Sequence, residues 1–437
     1  LDLVEGKAPA FELTAALMRR GGELYESLRK YFAQDADYSG RLASLDGAAA
    51  ERTFNIDSRE TASRLFGVNM NISPSRAETY YRCPFSYYCR YGLKLKENKS
   101  ATFDPLQKGT VIHFVLERLL REFTAQELCE LDDGERYEKI GEYLNAYLER
   151  YLDRSQRSKR FLYLYERLAR SIDAVAARLA DEFRNSDFYP VDLELDISHD
   201  GAVKPYKLKM PSGGYINISG KVDRVDFATV DGEAYIRVID YKSSGKIFAV
   251  SDVINGLNMQ MLIYLFTLVN NGKALYGDAA PAGVLYMPAK ASAFTAERGK
   301  DLSKQGGPKD KKMQGFVLKN AGVIVAMEHD GNGVYIPASI DKDGKIKGNA
   351  MELFELSALW DKVDENLVSM GEELHNGSIP ALPAQGNRYN DICSKCEYWN
   401  ICTHENNMPV RELNDKLELR EEAEKWELTG RLTRNTQ

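Results

Sequence analysis

The order of periodicities along this chain predicts an α/β protein, a mixed sheet flanked by helices with a helical region ahead of it. Three observations carry that reading. Residues 103–123 and about 137–187 repeat their apolar positions at helical spacing. The pattern then changes to alternating, strand-like runs, "VDLELDIS", "YKLKM", "YINISGKVDRVDFAT" and "AYIRVIDYK", between residues 191 and 242. Helical spacing returns in "SDVINGLNMQMLIYLFTLVN" (251–270), and "AGVLYMPA" (282–289) reads as one more strand. Helices on both sides of a run of strands can bury both faces of one sheet.

The bulk numbers suit such a fold. The 437 residues suffice for two or three domains, with 43% apolar and 28% charged residues. No run of about 18 apolar residues is present, which argues against a membrane-spanning helix. Six cysteines are too few for a disulfide scaffold in a chain of this length. A net charge of −7 does not advertise a nucleic-acid binder, yet binding depends on local patches, and "RGKDLSKQGGPKDKKMQG" (298–315) is basic. The start, "LDLVEGKAPAFEL", has neither an initiator Met nor a signal pattern, so the chain is expected to be a fragment of something longer.

Taken in order, residues 1–70 look helical, with turn signals at "DADYSG" and an Ala-rich patch at "SLDGAAAERT", and carry no chemical motif. "NISPSRAETYYRCPFSYYCRYGLKL" (71–95) begins with Ser73-Pro74-Ser75, a cap and helix start, and crowds aromatics around Cys83. The amphipathic helix beginning near Thr110 places His113 and Glu117 four apart on one face. "SGKVDRVDF" (219–227) brings in Asp223, and "ATVDGEA" supplies an Asp-Gly hairpin turn. The next strand ends on Asp240, Tyr241 and Lys242, followed by a Ser-Ser-Gly turn; strand residues two apart share a face. A hairpin therefore brings Asp223 and Asp240 together with Lys242 beside them. Two carboxylates in one cleft repel unless a cation joins them, and hard oxygen ligands suit Mg²⁺ or Mn²⁺. A neighbouring lysine can orient a water and stabilise charge building on a phosphate. Gln260 and Tyr264 repeat the four-residue spacing on the later helix.

Each piece alone has a plainer reading. An Asp-x-Lys at a strand end is usually a solvated ion pair, and a lone His on an amphipathic helix is usually packed or exposed. The order His, Asp, Asp-x-Lys, Gln-x-x-x-Tyr is what favours a site. Near the end, "DICSKCEYWNICTHE" holds Cys393, Cys396 and Cys402, a C-x2-C-x5-C pattern that lacks a fourth ligand. Cys83 can supply it, and Cys89 can compete for the role. Zinc is the plain alternative, although zinc ribbons typically present two C-x2-C pairs. Cys129 reads as an ordinary thiol.

The order of these elements resembles the RecB-type branch of the PD-(D/E)xK nucleases. "GTVIHFVLE" matches the His helix, "GKVDRVD" the first Asp, "DYKSS" the Asp-x-Lys and "QMLIYLF" the Gln-x-x-x-Tyr helix. The resemblance implies a restriction-endonuclease-like fold. It also implies a metal site of His113, Asp223, Asp240 and the Tyr241 carbonyl, in which Lys242 serves the attacking water. Asp223, Asp240 and Lys242 would be catalytic, with Glu117, Gln260 and Tyr264 supporting the site or touching DNA. For the cysteines it implies a 4Fe-4S cluster on Cys83, Cys393, Cys396 and Cys402 that staples both ends of the nuclease domain.

"ISPSRAETYYRCPFSYYCRYGLKL", "KKMQGFVLKNAGVIVAMEHD" and "CSKCEYWNIC" narrow the resemblance to the AddB-type subunits of AddAB helicase-nucleases, over most of residues 72–405. That family implies a cytoplasmic enzyme that processes DNA double-strand breaks for homologous recombination. It would cut the 5′-ended strand of DNA delivered by an AddA-type helicase-nuclease subunit. The expected divisions are 1–70 as the edge of a preceding helicase-like region, 71–410 as the nuclease domain and 411–437 as a helical tail. No G-x4-GK[ST] occurs, so no ATPase is assigned, and Chi recognition cannot be placed on these residues. The alternatives are a stand-alone RecB-like iron-sulfur exonuclease, and, from another class, a non-catalytic DNA-binding scaffold.

Overall fold

The computed structural model describes residues 6–18, 20–49, 54–96, 108–151, 159–242, 247–289, 312–402 and 409–414. The chain divides into two compact units, Leu1–Phe54 and Asn55–Gln437. The first unit holds helices α1 (Lys7–Leu17), α2 (Glu23–Gln34) and α3 (Ser39–Ala49). Its centre is the fully buried Phe32, whose ring meets Phe11 edge-on at 5.1 Å and Tyr38 at 5.2 Å.

The second unit opens with α4 (Arg59–Phe66), whose first turn is capped by the Ser58 hydroxyl accepting from the Thr61 N–H at 3.2 Å. Strand β1 (Met70–Ile72) leads to α5 (Pro74–Arg82), where Ser73 is the N-cap and Pro74 takes the first helical position. Helix α6 (Pro84–Tyr87) follows. After it come α7 (Lys108–Glu122), α8 (Ala125–Glu130), α9 (Asp133–Tyr151) and α10 (Lys159–Arg184). The strand-rich part contains β2 (Tyr189–Ile197), β3 (Tyr206–Lys209), β4 (Tyr215–Ile218), β5 (Gly220–Val230) and β6 (Glu233–Lys242). Beyond it lie α11 (Val250–Ile254), α12 (Gln260–Asn271), α13 (Lys273–Tyr276), β7 (Ala280–Pro288), β8 (Gln314–Leu318) and α14 (Ala321–Met327). The remaining elements are β9 (Ala338–Ile340), β10 (Ile346–Gly348), β11 (Ala350–Met351), α15 (Leu353–His375), β12 (Ala384–Gln385), α16 (Trp399–Cys402) and β13 (Arg411–Glu412).

The mixed α/β architecture expected from the periodicities is present. Among the described residues six strands form the main sheet in the order β11-β8-β7-β6-β5-β2, with β6 parallel to β7 and antiparallel to β5. The β5–β6 hairpin closes through Asp231 (φ 52°) and Gly232 (φ 85°), the two positive φ angles that a tight Asp-Gly hairpin requires. One face of the sheet buries Ala228, Ile239, Tyr241, Leu285 and Val317 against α7, α9, α10 and α14 in a single apolar core. Helix α12 covers β6 and β7 and in turn packs against α15. A smaller sheet, β1-β4-β3, rests on α15, where Gly371 lets the helix backbone approach Met210 and Ile216; a Cβ there would come within 2.5 Å of the Met210 sulfur.

Two runs that look continuous in sequence are divided. "YINISGKVDRVDFAT" is two strands in two sheets, changing partners at Ser219, whose N–H donates to the Ile72 carbonyl at 3.1 Å. The run 251–270 is broken between α11 and α12, because Gly256 (φ 79°) and Asn258 (φ 55°) turn the chain. A Cβ on Gly256 would run into the Tyr81 ring, so the break fits against α5. The Ser-Ser-Gly turn after Lys242 and the basic segment up to residue 311 lie outside the described residues, as do 415–437 of the expected tail. Within that tail Arg411–Glu412 is strand, paired in parallel with Ala384–Gln385.

Candidate active site

Hairpin register sets the centre of the site. Arg224 pairs with Ile239, so Asp223 and Asp240 follow at the same end of β5 and β6. Alternation then turns Arg224 and Ile239 to the α10 side and the two aspartates to the α12 side. Lys242 closes a tight ion pair with Asp240, Nζ lying 2.9 Å from Oδ1 and 2.6 Å from Oδ2. Asp240 is buried and Lys242 half-buried, so this pair is less screened than one on the surface.

Helix α7 delivers His113 to the same strand end. Its Nδ1 lies 3.3 Å from Asp223 Oδ2, and its Nε2 lies 2.9 Å from the Tyr241 carbonyl oxygen. The Tyr241 N–H donates to Asp223 Oδ2 at 3.1 Å, so the peptide groups flanking Tyr241 Cα tie both side chains in place. Burial alone would lower the His113 pKa, but the hydrogen bond and charge of Asp223, the Tyr241 carbonyl and Asp240 lift it to about 9. At neutral pH the metal-free imidazole is therefore a cation, with both ring nitrogens available as donors.

Sequence reasoning missed Glu194. Its Oε1 lies 3.9 Å from His113 Nδ1, and Oε2 pairs with Lys221 at 2.9 Å. One ligand atom each from His113, Glu194 and Asp223 lie within 4.8 Å of one another. Glu194 is a non-glycine residue at φ 51° inside β2, near the register shift between Pro190 and Asp192. Nothing in the alternating run "VDLELDIS" distinguishes this carboxylate from its neighbours; only the pairing of β2 with β5 brings it beside Asp223.

The other expected residues sit around this centre. The Tyr264 hydroxyl accepts from Gln260 and from the Lys221 backbone, which lower its pKa against a larger upward push from burial, leaving it at about 12. Gly220 makes room for that ring, because a Cβ there would meet the hydroxyl at 2.6 Å. Glu117 stands off from the His113 group and pairs with Arg121 at 3.0 Å. Arg121 in turn donates to the Leu193 carbonyl at 2.9 Å, steadying the strand beside Glu194.

Behind the aspartates lies a fully buried quartet. Arg224 donates to Asp226 at 2.6 and 2.7 Å, and Arg237 donates to Asp226 at 2.9 Å and to Glu182 of α10 at 2.5 Å. Arg224 also reaches the Tyr241 hydroxyl at 3.4 Å, joining the quartet to the residue that anchors His113 and Asp223.

The cysteines meet elsewhere. Cys83, Cys393, Cys396 and Cys402 line one cavity of about 440 Å³, although they come from opposite ends of the second unit. Burial pushes the Cys83 thiol up to about 12 and raises that of Cys393. Cys89 is buried, with its own pKa raised by burial and by nearby Cys402 and Cys396, but it is not part of the cavity wall. Cys129 donates to the Ala180 carbonyl at 3.2 Å and takes no part in the cluster.

A six-stranded mixed sheet with Asp-x-Lys at a strand end, a second Asp on the neighbouring strand and a His from a flanking helix defines a nuclease-type centre. The chain belongs to the PD-(D/E)XK nuclease superfamily, whose family model matches residues 71–403. Among curated proteins it is similar to one from Caldanaerobacter subterraneus subsp. tengcongensis that is named as a subunit of an ATP-dependent helicase/deoxyribonuclease, with 33% identity over 79% of this chain and 30% of that protein. The proteins so named from Clostridium novyi and Acetivibrio thermocellus are each 29% identical, over 98% and 93% of this chain and 39% and 37% of their own lengths. The chain thus spans between 30% and 39% of these relatives.

Proposed function

We propose that this chain is the nuclease part of a helicase-nuclease complex, a Mg²⁺-dependent deoxyribonuclease that hydrolyses phosphodiester bonds in a single strand delivered from a duplex end. In this reading it works with an AddA-type subunit in the processing of double-strand breaks for homologous recombination, and it cuts the 5′-ended strand. The observation that carries the proposal is the convergence of His113, Asp223, Asp240 and Lys242 at one strand end, with Glu194 beside them.

The donor set fits a hard divalent ion: carboxylates of Asp223, Asp240 and Glu194, the Tyr241 carbonyl and one nitrogen of His113. Such an ion supplies charge neutralisation at the phosphate and a more acidic water. The protein's own groups do the rest. Asp223 is held by the Tyr241 N–H, and His113 is oriented by the Tyr241 carbonyl. The Lys242 ammonium, kept in place by Asp240, can position the attacking water and stabilise the negative charge that builds on the phosphate oxygens. In the metal-free chain, protonated His113 and Lys242 provide the cations that let the carboxylates stand close together.

Cys83, Cys393, Cys396 and Cys402 fit a 4Fe-4S cluster, since four thiolates complete the usual ligand set and the four side chains share one cavity. With no open ligand position its role is structural, tying residues around Cys83 to those around Cys396. The raised thiol pKa of Cys83 means that loading iron must release a proton there.

The test is cutting of end-labelled single-stranded DNA with and without Mg²⁺, comparing wild type with Asp240→Ala. Mg²⁺-dependent cutting that disappears in the variant supports the proposal, and the label position reports polarity. If neither protein cuts, alone or with the partner subunit added, the nuclease reading fails and a DNA-holding scaffold replaces it.

A further inference from the structure

The strand that carries Asp223 begins outside the main sheet. From Tyr215 to Arg224 the backbone is extended almost without interruption, broken only at Ser219 where β4 gives way to β5. Along it Ile216, Ile218, Val222 and Arg224 are buried, whereas Tyr215, Asn217, Ser219, Lys221 and Asp223 are exposed or half-buried. Side chains two apart in a strand project alike. Exposed or half-buried side chains thus recur at every second position from the small sheet, across the partner change at Ser219, to the candidate metal centre.

The outer face of the small sheet widens this row. Asn71 and Lys207 flank Asn217 across the strands, and Lys209 sits opposite Tyr215. All of these except half-buried Asn217 are exposed, and β1, β3 and β4 contain no Asp or Glu, in a chain whose net charge is −7. The Lys207 ammonium lies 3.9 Å from the centre of the Tyr215 ring, so a cation and an aromatic face are presented together. Asn71 accepts from the Asn217 amide at 3.1 Å, a bond that does not use its own N–H₂ group. Lys221, farther along, is paired with Glu194 and is not counted as a free phosphate partner.

We infer that the outer face of β1-β4-β3 is a track for single-stranded DNA that leads the strand along Tyr215–Asp223 into the catalytic centre. The inference rests on the nuclease reading and adds the surface that holds the substrate. Lys207 and Lys209 take backbone phosphates, Tyr215 stacks on a base, and the Asn71 and Asn217 amides offer hydrogen bonds with no preference for sequence. Single-stranded DNA is the occupant because the face joins positive charge to an aromatic ring and is continuous with the strand bearing Asp223.

The experiment measures binding of a fluorescein-labelled oligo-dT by anisotropy, on the full 437-residue chain in EDTA, so that cutting does not intervene. Each phosphate contact contributes a slope of about −0.7 in log K against log salt for single strands. Lys207→Gln/Lys209→Gln should therefore lower the steepness by about 1.4 and weaken binding about 25-fold at about 0.1 M salt. Tyr215→Ala should weaken it about tenfold, while Tyr215→Phe keeps wild-type affinity. Unchanged affinity and slope in the double variant, or no binding by wild type, overturns the track. Loss of Mg²⁺-dependent cutting is read in the separate cleavage assay, so failure of the nuclease reading is recognised independently.

Discussion

Asp226→Asn probes the buried quartet behind the candidate active site. Asp226 is fully buried and accepts three charge-assisted hydrogen bonds, two from Arg224 and one from Arg237. Burial disfavours its charge, yet the two guanidinium groups hold its pKa below the ordinary carboxylate range. The two arginines and the two carboxylates of Asp226 and Glu182 cancel in charge. The substitution keeps the volume but leaves two buried cations facing a single anion. Removing one partner from such an assembly costs about 3–5 kcal/mol, a fifth or more of the roughly 5–15 kcal/mol stability of a typical domain. Equilibrium denaturation by urea, followed by circular dichroism, should show the midpoint falling with an unchanged slope. Because Arg224 also contacts the Tyr241 hydroxyl, the surviving folded protein should cut more slowly than wild type. A loss below about 1 kcal/mol would refute the reasoning, since it would mean that water or rearranged partners already screen these charges. Glu182→Gln should behave similarly, and the double variant should lose at least the two single losses added together, because it leaves both buried guanidinium groups with no anion.

Three further outcomes follow from the geometry. His113 has a folded pKa of about 9 against about 6.5 unfolded, so its stabilising contribution is complete below about 6.5 and is lost as pH rises through 9. In chelator, the stability difference between wild type and His113→Asn should shrink across that window by about 3 kcal/mol at most, and a flat difference would contradict it. Gly220→Ala should cost about 1–3 kcal/mol by pushing against the Tyr264 hydroxyl, measured by thermal unfolding; an unchanged melting temperature would show that the ring moves aside freely. Cys396→Ser should lower bound iron and the melting temperature of anaerobically purified protein, and full iron retention would point to a different ligand set.

What could be read locally was legible in the sequence. The Asp-Gly turn fixed the β5–β6 hairpin, because two consecutive positive φ angles demand such residues. That hairpin, with period-two alternation, was enough to place Asp223, Asp240 and Lys242 together at one strand end. The Ser73-Pro74 start of α5 was legible for the same reason, since a cap acts within one turn. Tertiary structure alone decided the rest. Glu194 lies in an alternating run with acidic residues on either side, and only the pairing of β2 with β5 selects it. Arg224, Asp226, Arg237 and Glu182 look like surface charges in one dimension and become a buried quartet because α10 packs over the sheet. The partner change at Ser219 and the break at Gly256 depend on neighbours far away in the chain, the Ile72 carbonyl and the Tyr81 ring. Period and turn chemistry are properties of consecutive residues. Pairing, burial and charge compensation belong to contacts that exist only once the chain has folded.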